Sequence, residues 1–217
     1  MRILALTDFH GKITPVQSLI KSNLLYDIVI TCGDYMLSLE GLEQLFMQLQ
    51  SIAKNILAIP GNMDHLEIIK MLETHAISLH NKRTTIEDIE FVGFGGSNPG
   101  PFNTPLEYTE EILGSSLMKL LDPAPKGNWI LVTHAPPYGT KIDCTRWRSH
   151  VGSKSIRKII LDYHPLIAIS GHIHESAGLD YLGKSIVVNP GPLYNMNAVE
   201  IVIPKDEKPT VRRFKIG

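Results

Sequence analysis

Residues 27–34 read DIVITCGD, the pattern from which the rest of the fold follows. Ile28, Val29, Ile30 and Thr31 are β-branched and contiguous, too short and too evenly apolar for an amphipathic helix, and Gly33 breaks the run. Such a run is a buried strand of the kind found in parallel sheets. A carboxylate, Asp34, follows the turn directly. The same arrangement recurs on both sides: ILALT (3–7) precedes Asp8 and His10; NILAI (55–59) and Pro60 precede Gly61, Asn62 and Asp64; NWILVT (128–133) precedes His134; and LIAIS (166–170) precedes Gly171, His172 and His174.

Helical patterns separate these strands. One runs from Pro15 to about Ser22, with Thr14 expected as N-cap and Pro15 at N1. Residues 41–53 carry apolar side chains at 42, 45, 46, 49, 52 and 53, which is helical spacing. Further helices are expected over 65–75, from the capping-box pattern Thr104–Glu107 to about Leu121, and over 155–164. Residues 84–96 read as two strands and a turn. Strands that alternate with helices imply an α/β fold with mostly parallel strands and right-handed crossovers. The tail is different. YLGKSIVVNPG, NAVEIVIP and TVRRFKI read as strands joined by Gly and Pro turns, which suggests a second sheet.

Composition sets outer limits. A chain of 217 residues that is 43% hydrophobic can bury one sizeable core, so residues 1–217 are expected to form a single domain. A net charge of −1 leaves no global basic footprint for nucleic acid or for a membrane surface. No apolar run reaches membrane-spanning length. The N-terminal run is interrupted by Asp8 and His10 without a small-residue cleavage site, so it reads as a strand and not as a leader. Cys32 and Cys144 lie in unrelated contexts, which excludes a disulfide framework or a Cys-type zinc site and fits a reducing cytoplasm.

Parallel strands place their C-terminal ends on one edge, where ligands bind. Five segments therefore deliver Asp8, His10, Asp34, Asn62, His134, His172 and His174 to one place. Any one of them alone would be read as a cap, a turn residue or a structural histidine. Together they are oxygen and imidazole donors without a thiolate, a set suited to Mn, Fe, Zn or Co. Seven donors are too many for one tetrahedral ion and suit two ions roughly 3.5–4 Å apart that share a bridge. Asp34 is the natural bridge, since one carboxylate offers two oxygens. The i,i+2 spacing of Asp8/His10 and His172/His174 lets both side chains of each pair face one side of an extended segment.

Asp8-x-His10, Gly33-Asp34, Gly61-Asn62, His134 and Gly171-His172-x-His174, in this order across residues 8–174, resemble the five motifs of the calcineurin-like metallophosphoesterases. GFGGSNPGPFNTP and THAPPYGT resemble stretches of small prokaryotic members. The resemblance implies a four-layer α/β/β/α sandwich of two facing mixed β-sheets with flanking helices. It also implies one ion held by Asp8, His10, Asp34 and His174, and a second held by Asp34, Asn62, His134 and His172. The divalent ions are expected to be manganese first, with iron, zinc, cobalt and nickel as alternatives. The implied activity is hydrolysis of small phosphate esters by attack of a metal-bound hydroxide on phosphorus.

In many members the residue after Asn62 is a histidine beside the substrate, a candidate acid for the leaving oxygen. Here it is Met63, and a thioether gives no proton. His150, in RWRSHVGS, is the first candidate to replace it, and His65 the second. Asp64 opens the pattern Asp64-His65-Leu66-Glu67 and is expected to cap the next helix, which would put His65 at N1. Loss of the motif histidine favours small phosphodiesters, with a phosphomonoesterase as the alternative; a DNA nuclease is disfavoured. A protein-binding scaffold that retains metal is the rival from another class, and the filled ligand positions count against it. Partner expectations are a small phosphate-ester substrate and no membrane, with association between copies allowed.

Three further features are noted. The turn-rich loop over 95–105 is either a solvated loop or a flap over the site. Lys141, Arg146, Arg148, Lys154, Arg157 and Lys158 form either a solvated face or a cationic rim, with Trp147 as a candidate stacking platform. Asn189-Pro190-Gly191-Pro192 reads as a turn that resembles a family loop near the ligands. His75, His80 and His164 read as structural, and Cys32 as inert.

Overall fold

In the computed structural model the expected strands, joined by a short unforeseen one at Ile77–Ser78, assemble into two six-stranded sheets. The structure describes residues 1–205 and 207–217. The chain begins β1 (Arg2–Leu6), α1 (Thr14–Lys21), β2 (Tyr26–Thr31), α2 (Leu39–Gln50), β3 (Ala53–Ala58), α3 (Glu67–His75) and β4 (Ile77–Ser78). These four strands are parallel neighbours in one sheet. Next come β5 (Lys82–Ile86), β6 (Ile89–Phe94), α4 (Glu110–Leu120), β7 (Trp129–Thr133), α5 (Lys154–Tyr163), β8 (Ile167–Ile169), β9 (Gly178–Leu182) and β10 (Ser185–Asn189), whose strands form the other sheet in the order β5-β6-β7-β8-β10-β9.

The expectation that the tail builds a sheet of its own is corrected. β9 and β10 complete the second sheet, with β10 parallel to β8. β11 (Asn197–Val202) instead crosses to the first sheet and pairs antiparallel to β1, Ala5 opposite Val199, and carries β12 (Thr210–Lys215) with it. β1 would otherwise leave a row of unpaired backbone groups at the sheet edge, and β11 satisfies them. It also places Val199 and Ile201 on the buried face beside Ile3.

The period-2 alternation of the strands builds the layers. Ile3, Ala5, Ile28, Ile30 and Leu57 of the first sheet meet Ile130, Val132, Ile167 and Ile169 of the second in a dry layer between the sheets. Leu4, Leu6 and Val29 point the other way, onto Leu42, Leu45 and Phe46 of α2 and the apolar faces of α1 and α3. Val92, Trp129 and Leu131 pack against Leu113 and Leu117 of α4 and Ile156, Ile159 and Ile160 of α5. The architecture is the α/β/β/α sandwich. Each fully buried Ile or Leu contributes about 1.5–3 kcal/mol, so the inter-sheet layer is a rigid base for the strand ends above it.

Helix starts follow local chemistry at α2, α4 and α5, while the expected caps of α1 and α4 are corrected. Ser38, Thr109 and Ser153 cap α2, α4 and α5 by accepting backbone N–H groups of Gly41, Ile112 and Ile156. Thr104 does not open α4. Glu107 Oε1 accepts from Thr104 N and Oγ1, which is half of the capping box, but the helix begins only at Glu110. Thr14 lies inside α1, with Ile13 as the flanking residue.

Candidate metal centre

The loops that leave β1, β2 and β8 turn sharply. Asp8, His10, Asp34 and His172 have φ of 54°, 44°, 55° and 70°. This left-handed region is one that Asp and His enter more readily than most residues, at a cost of about 1–3 kcal/mol where the surroundings enforce it. The surroundings here are backbone: Asp8 N donates to Gly33 O and His10 N to Asp34 O, both at 3.0 Å. Two glycines are needed for close approach. A Cβ at Gly61 would overlap the Asp34 carboxylate, and one at Gly171 would overlap Thr7 Oγ1.

All seven candidate ligands converge. Asp8, His10, Asp34 and His174 each offer an atom within 4.8 Å of the others' atoms, and so do Asp34, His134 and His172. His10 Nε2 lies 3.1 Å from His174 Nε2, and His174 Nε2 lies 3.4 Å from Asp8 Oδ1. On the other side, His134 Nε2 is 2.8 Å from Asn62 Oδ1. Asp34 belongs to both groups: Oδ2 lies 3.7 Å from His10 Nε2, and Oδ1 lies 3.5 Å from His134 Nε2.

Hydrogen bonds aim the lone pairs inward. His134 Nδ1 sits 2.6 Å from Cys32 O, which can only accept, so this nitrogen carries the proton and Nε2 faces Asn62 and Asp34. Asn62 Nδ2 donates to Thr104 Oγ1 at 2.9 Å, which turns its Oδ1 toward His134. Asp34 Oδ1 accepts from Met63 N, and Asp8 Oδ2 from Thr7 Oγ1 and His172 N. The result is a set of acceptors facing one another, buried at Asp8, Asp34, Asn62 and His134 and half-buried at His10, His172 and His174, which a cation satisfies. Titration brings in the competing occupant, a proton on His134 Nε2, which a metal ion would have to displace. Burial acts against ionising Asp34, but the His134 charge and hydrogen bond overcome it and hold the carboxyl well below its usual range. Burial likewise disfavours the His134 imidazolium, yet the Asp34 charge pushes that ring up to about 9. Burial, then repulsion from His134, takes His172 down to about 4. The donor set, carboxylate, amide and imidazole around two centres, fits two divalent ions.

The family model for calcineurin-like phosphoesterases matches residues 1–176. The chain belongs to this family. Membership makes it a metal-dependent phosphoester hydrolase, and the family implies a dinuclear divalent metal centre. An uncharacterized protein of the archaeon Methanocaldococcus jannaschii is 42% identical over 197 residues, 88% of each chain. A crystal structure from Thermus thermophilus superposes with a TM-score of 0.74 at 18% identity, covering 100% of this chain and 99% of that one. Another solved structure reaches 0.82 at 19% identity with coverage of 100% and 99%. At these identities the solved structures share the fold. Among the described residues no helix is long and apolar enough to cross a membrane.

Around this phosphoesterase centre the structure corrects one expectation and adds three supports. Asp64 does not cap α3, which begins at Glu67 after Leu66 and has no side-chain cap. Asp64 is buried, with Oδ2 accepting from Asp34 N (2.9 Å) and Gly61 N (2.8 Å) and Oδ1 from Tyr35 N (2.9 Å) and Met36 N (3.2 Å). It ties the loop that carries Asp34 to the loop that carries Asn62. Burial and the nearby Asp34 charge raise its pKa to about 6, against the pull of those N–H groups. Asn189 Nδ2 donates to Ile173 O at 2.9 Å and holds the His172–His174 turn, which puts its loop near the ligands. Tyr194 is unforeseen: its hydroxyl lies 3.1 Å from His174 Nδ1 and orients that ring. So is Asp143, which positions His150.

The candidate acids separate in space. His150 lies on the wall of a cavity of about 800 Å³ that also contains Asn62, His172 and His174. Its Nδ1 is 2.7 Å from Asp143 Oδ1. Asp143 is fully buried and accepts from Gly139 N, Thr140 N and Gly152 N, so it is a fixed orienting group. His65 is exposed and lines a different cleft of about 230 Å³, together with Met36, Leu39 and Met63. It precedes α3 by two residues and does not occupy N1. Of the basic cluster, Lys154 lines the main cavity. Lys158 pairs with Asp162, and Arg157 donates to Tyr138 O. The loop over 95–105 reaches the cavity through Ser97 and Asn98 to Phe102, so it forms a wall of the site.

Proposed function

We propose that this phosphoesterase hydrolyses small phosphodiesters, with one ion held by Asp8, His10, Asp34 and His174 and the other by Asp34, Asn62, His134 and His172. The observation that carries the reading is the split of Asp34, whose two oxygens face two separate donor groups. Bound divalent ions supply Lewis-acid charge for phosphoryl oxygens and lower the pKa of water toward neutrality. The protein's own part is to hold the donors still. Cys32 O, Thr104, Asp64 and Tyr194 fix the rings and carboxylates before the substrate arrives, which is preorganisation.

His150 is the proton donor of this reading. Asp143 accepts at Nδ1 and leaves Nε2 as the atom that delivers a proton to the leaving oxygen. Met63 cannot do this, and its side chain lines the separate cleft. The diester preference is supported by the cavity, at about 800 Å³ large enough for substituents on both sides of a phosphorus atom. Manganese is the first choice of metal because oxygen and imidazole donors suit it. Two free thiols, Cys32 and Cys144, support a cytoplasmic setting. The sharing of β11 and β12 with the N-terminal sheet supports one domain over residues 1–217. The test combines metal analysis with hydrolysis of matched mono- and diesters by manganese-loaded protein. Two ions per chain and faster diester turnover are expected. A single ion per chain overturns the site assignment, and faster monoester turnover overturns the substrate class.

A further inference from the structure

Phe102 and Trp147 are 84% and 86% exposed, more than any other large hydrophobic side chain described as exposed. Both line the cavity that contains Asn62, His172 and His174. Exposed aromatics at a site mouth cost solvation in the free protein and are stabilised when a flat apolar group covers them.

Neither side chain sits on an unconstrained loop. Residues 144–150 form a hairpin closed by a bridge between Cys144 and His150, with Thr145 N donating to Ser149 O and Arg148 N to Thr145 O, both at 2.9 Å. Trp147 is at its tip. The hairpin is tied to the segment after His174 by Ser176 Oγ donating to Cys144 O and by Arg146 N donating to Glu175 Oε1 at 3.2 Å. Phe102 is on the loop that Leu106 N anchors to Asn62 O at 3.1 Å. Asn98 Nδ2 donates from that loop to Val151 O at 3.2 Å, which joins the two walls. Each aromatic is thus presented by a segment bonded to a neighbour of the candidate ligands.

The acids of the same cavity are already engaged: Glu107 with Thr104, Glu110 with the N-terminus of α5, and Glu175 with Arg146 N. Apart from Lys154, His150 and the candidate ligands, the surface they leave for a ligand is largely apolar and aromatic. A volume of about 800 Å³ is in the range of sites for drug-sized molecules, and a bare phosphate would leave most of it empty.

We infer that the substrate carries a planar aromatic ring, which stacks on Phe102 and Trp147 while its phosphoester lies at His172 and His174. The ring is that of a nucleobase or of another aryl group attached to the phosphoester. The inference deepens the proposed phosphoesterase function and rests on it for what the ring is attached to. Stacking on an aromatic side chain is sequence-tolerant and strengthens binding by roughly ten-fold per ring. Phe102 and Trp147 are specificity residues, acting on binding of the ring and not on the reacting bond.

Two measurements test this. The first is tryptophan fluorescence titrated with nucleoside monophosphates, with phenyl phosphate and with inorganic phosphate. Trp129 is 3% exposed, so quenching reports Trp147. Both ring-bearing ligands, or one of them, should quench where inorganic phosphate does not, and Trp147→Ala should abolish the effect. Which one quenches tells nucleobase from other aryl rings. The second is kcat/KM on a nucleoside methyl phosphodiester, an aryl methyl phosphodiester and a glycerol methyl phosphodiester. The preference for ring-bearing over glycerol ester should fall roughly ten-fold, through KM, in Phe102→Ala and in Trp147→Ala, and Trp147→Phe should restore it. Both positions are exposed, and an unchanged melting temperature verifies folding. Absence of quenching by any ring ligand, or preferences unmoved in both variants, overturns the inference and leaves the phosphoesterase reading intact. Hydrolysis of none of the esters overturns that reading, and the fluorescence result still decides whether a ring binds.

Discussion

Asp64→Asn separates two physical roles that look alike along the chain. If Asp64 were a helix N-cap, asparagine would replace it at almost no cost, since the two cap equally well. In the structure both carboxylate oxygens are used, each by two backbone N–H groups. Asparagine keeps one acceptor oxygen and turns an NH₂ toward the other pair of donors. Two buried N–H groups then lose their acceptor, at about 1–3 kcal/mol each. Part of this returns, because burial and the Asp34 charge already disfavour an ionised Asp64. A net loss of about 2 kcal/mol remains, which for a chain of this length lowers Tm by about 4–8 °C. The assay is thermal and urea unfolding of wild type, Asp64→Asn and Asp64→Ala, each metal-free and with manganese. Asp64→Ala should be at least as damaging, and both variants should retain less metal because Asp34 N loses its anchor. A stability change for Asp64→Asn within about 0.5 kcal/mol, the usual range of a neutral substitution, would refute the anchor.

Asp34→Ala should remove both ions by metal analysis, whereas Asn62→Ala should remove at most one, because only Asp34 faces both donor groups. His150→Ala should slow esters with poor leaving groups more than activated aryl esters in a leaving-group series. Asp143→Asn should do the same more weakly, and a uniform loss across the series would exclude His150 as the proton donor. His80 accepts from Gly95 N at Nδ1, and burial, aided by Lys82, lowers its pKa from 6.5 to about 4. The unfolded chain therefore binds a proton that the folded chain refuses between these values, so this contribution to stability is present above pH 6.5 and lost as pH falls toward about 4. Unfolding midpoints measured across that window should slope less in His80→Gln than in wild type.

Much of the site was legible because its signals are local. Short apolar runs that alternate with helical patterns mark buried strands, and a carboxylate or imidazole directly after such a run lies at the strand's C-terminal end. Asp8, His10, Asp34, Asn62, His134, His172 and His174 could be read in this way, and the structure brings all of them together. The layers followed too, since alternation in β1, β2 and β7 divides the side chains between two faces.

Partner choice was not legible. Nothing in NAVEIVIP says that it crosses to β1 while the preceding strand pairs with β8; the open edge of the assembled sheet decides that. Asp64, Asn189 and Tyr194 show the same limit within the site. Each can be explained by a neighbour in sequence, yet each serves a group far along the chain: loop N–H donors 28 to 30 residues upstream for the first, the Ile173 carbonyl for the second and the His174 ring for the third. Backbone donors and acceptors are the same at every residue, so the chain carries no mark of which ones the turns will leave unpaired. Which chemistry gathers at the strand ends is written in local residue order. Which side chains hold that chemistry in place depends on the folded chain, because only folding shows which buried polar groups still lack a partner.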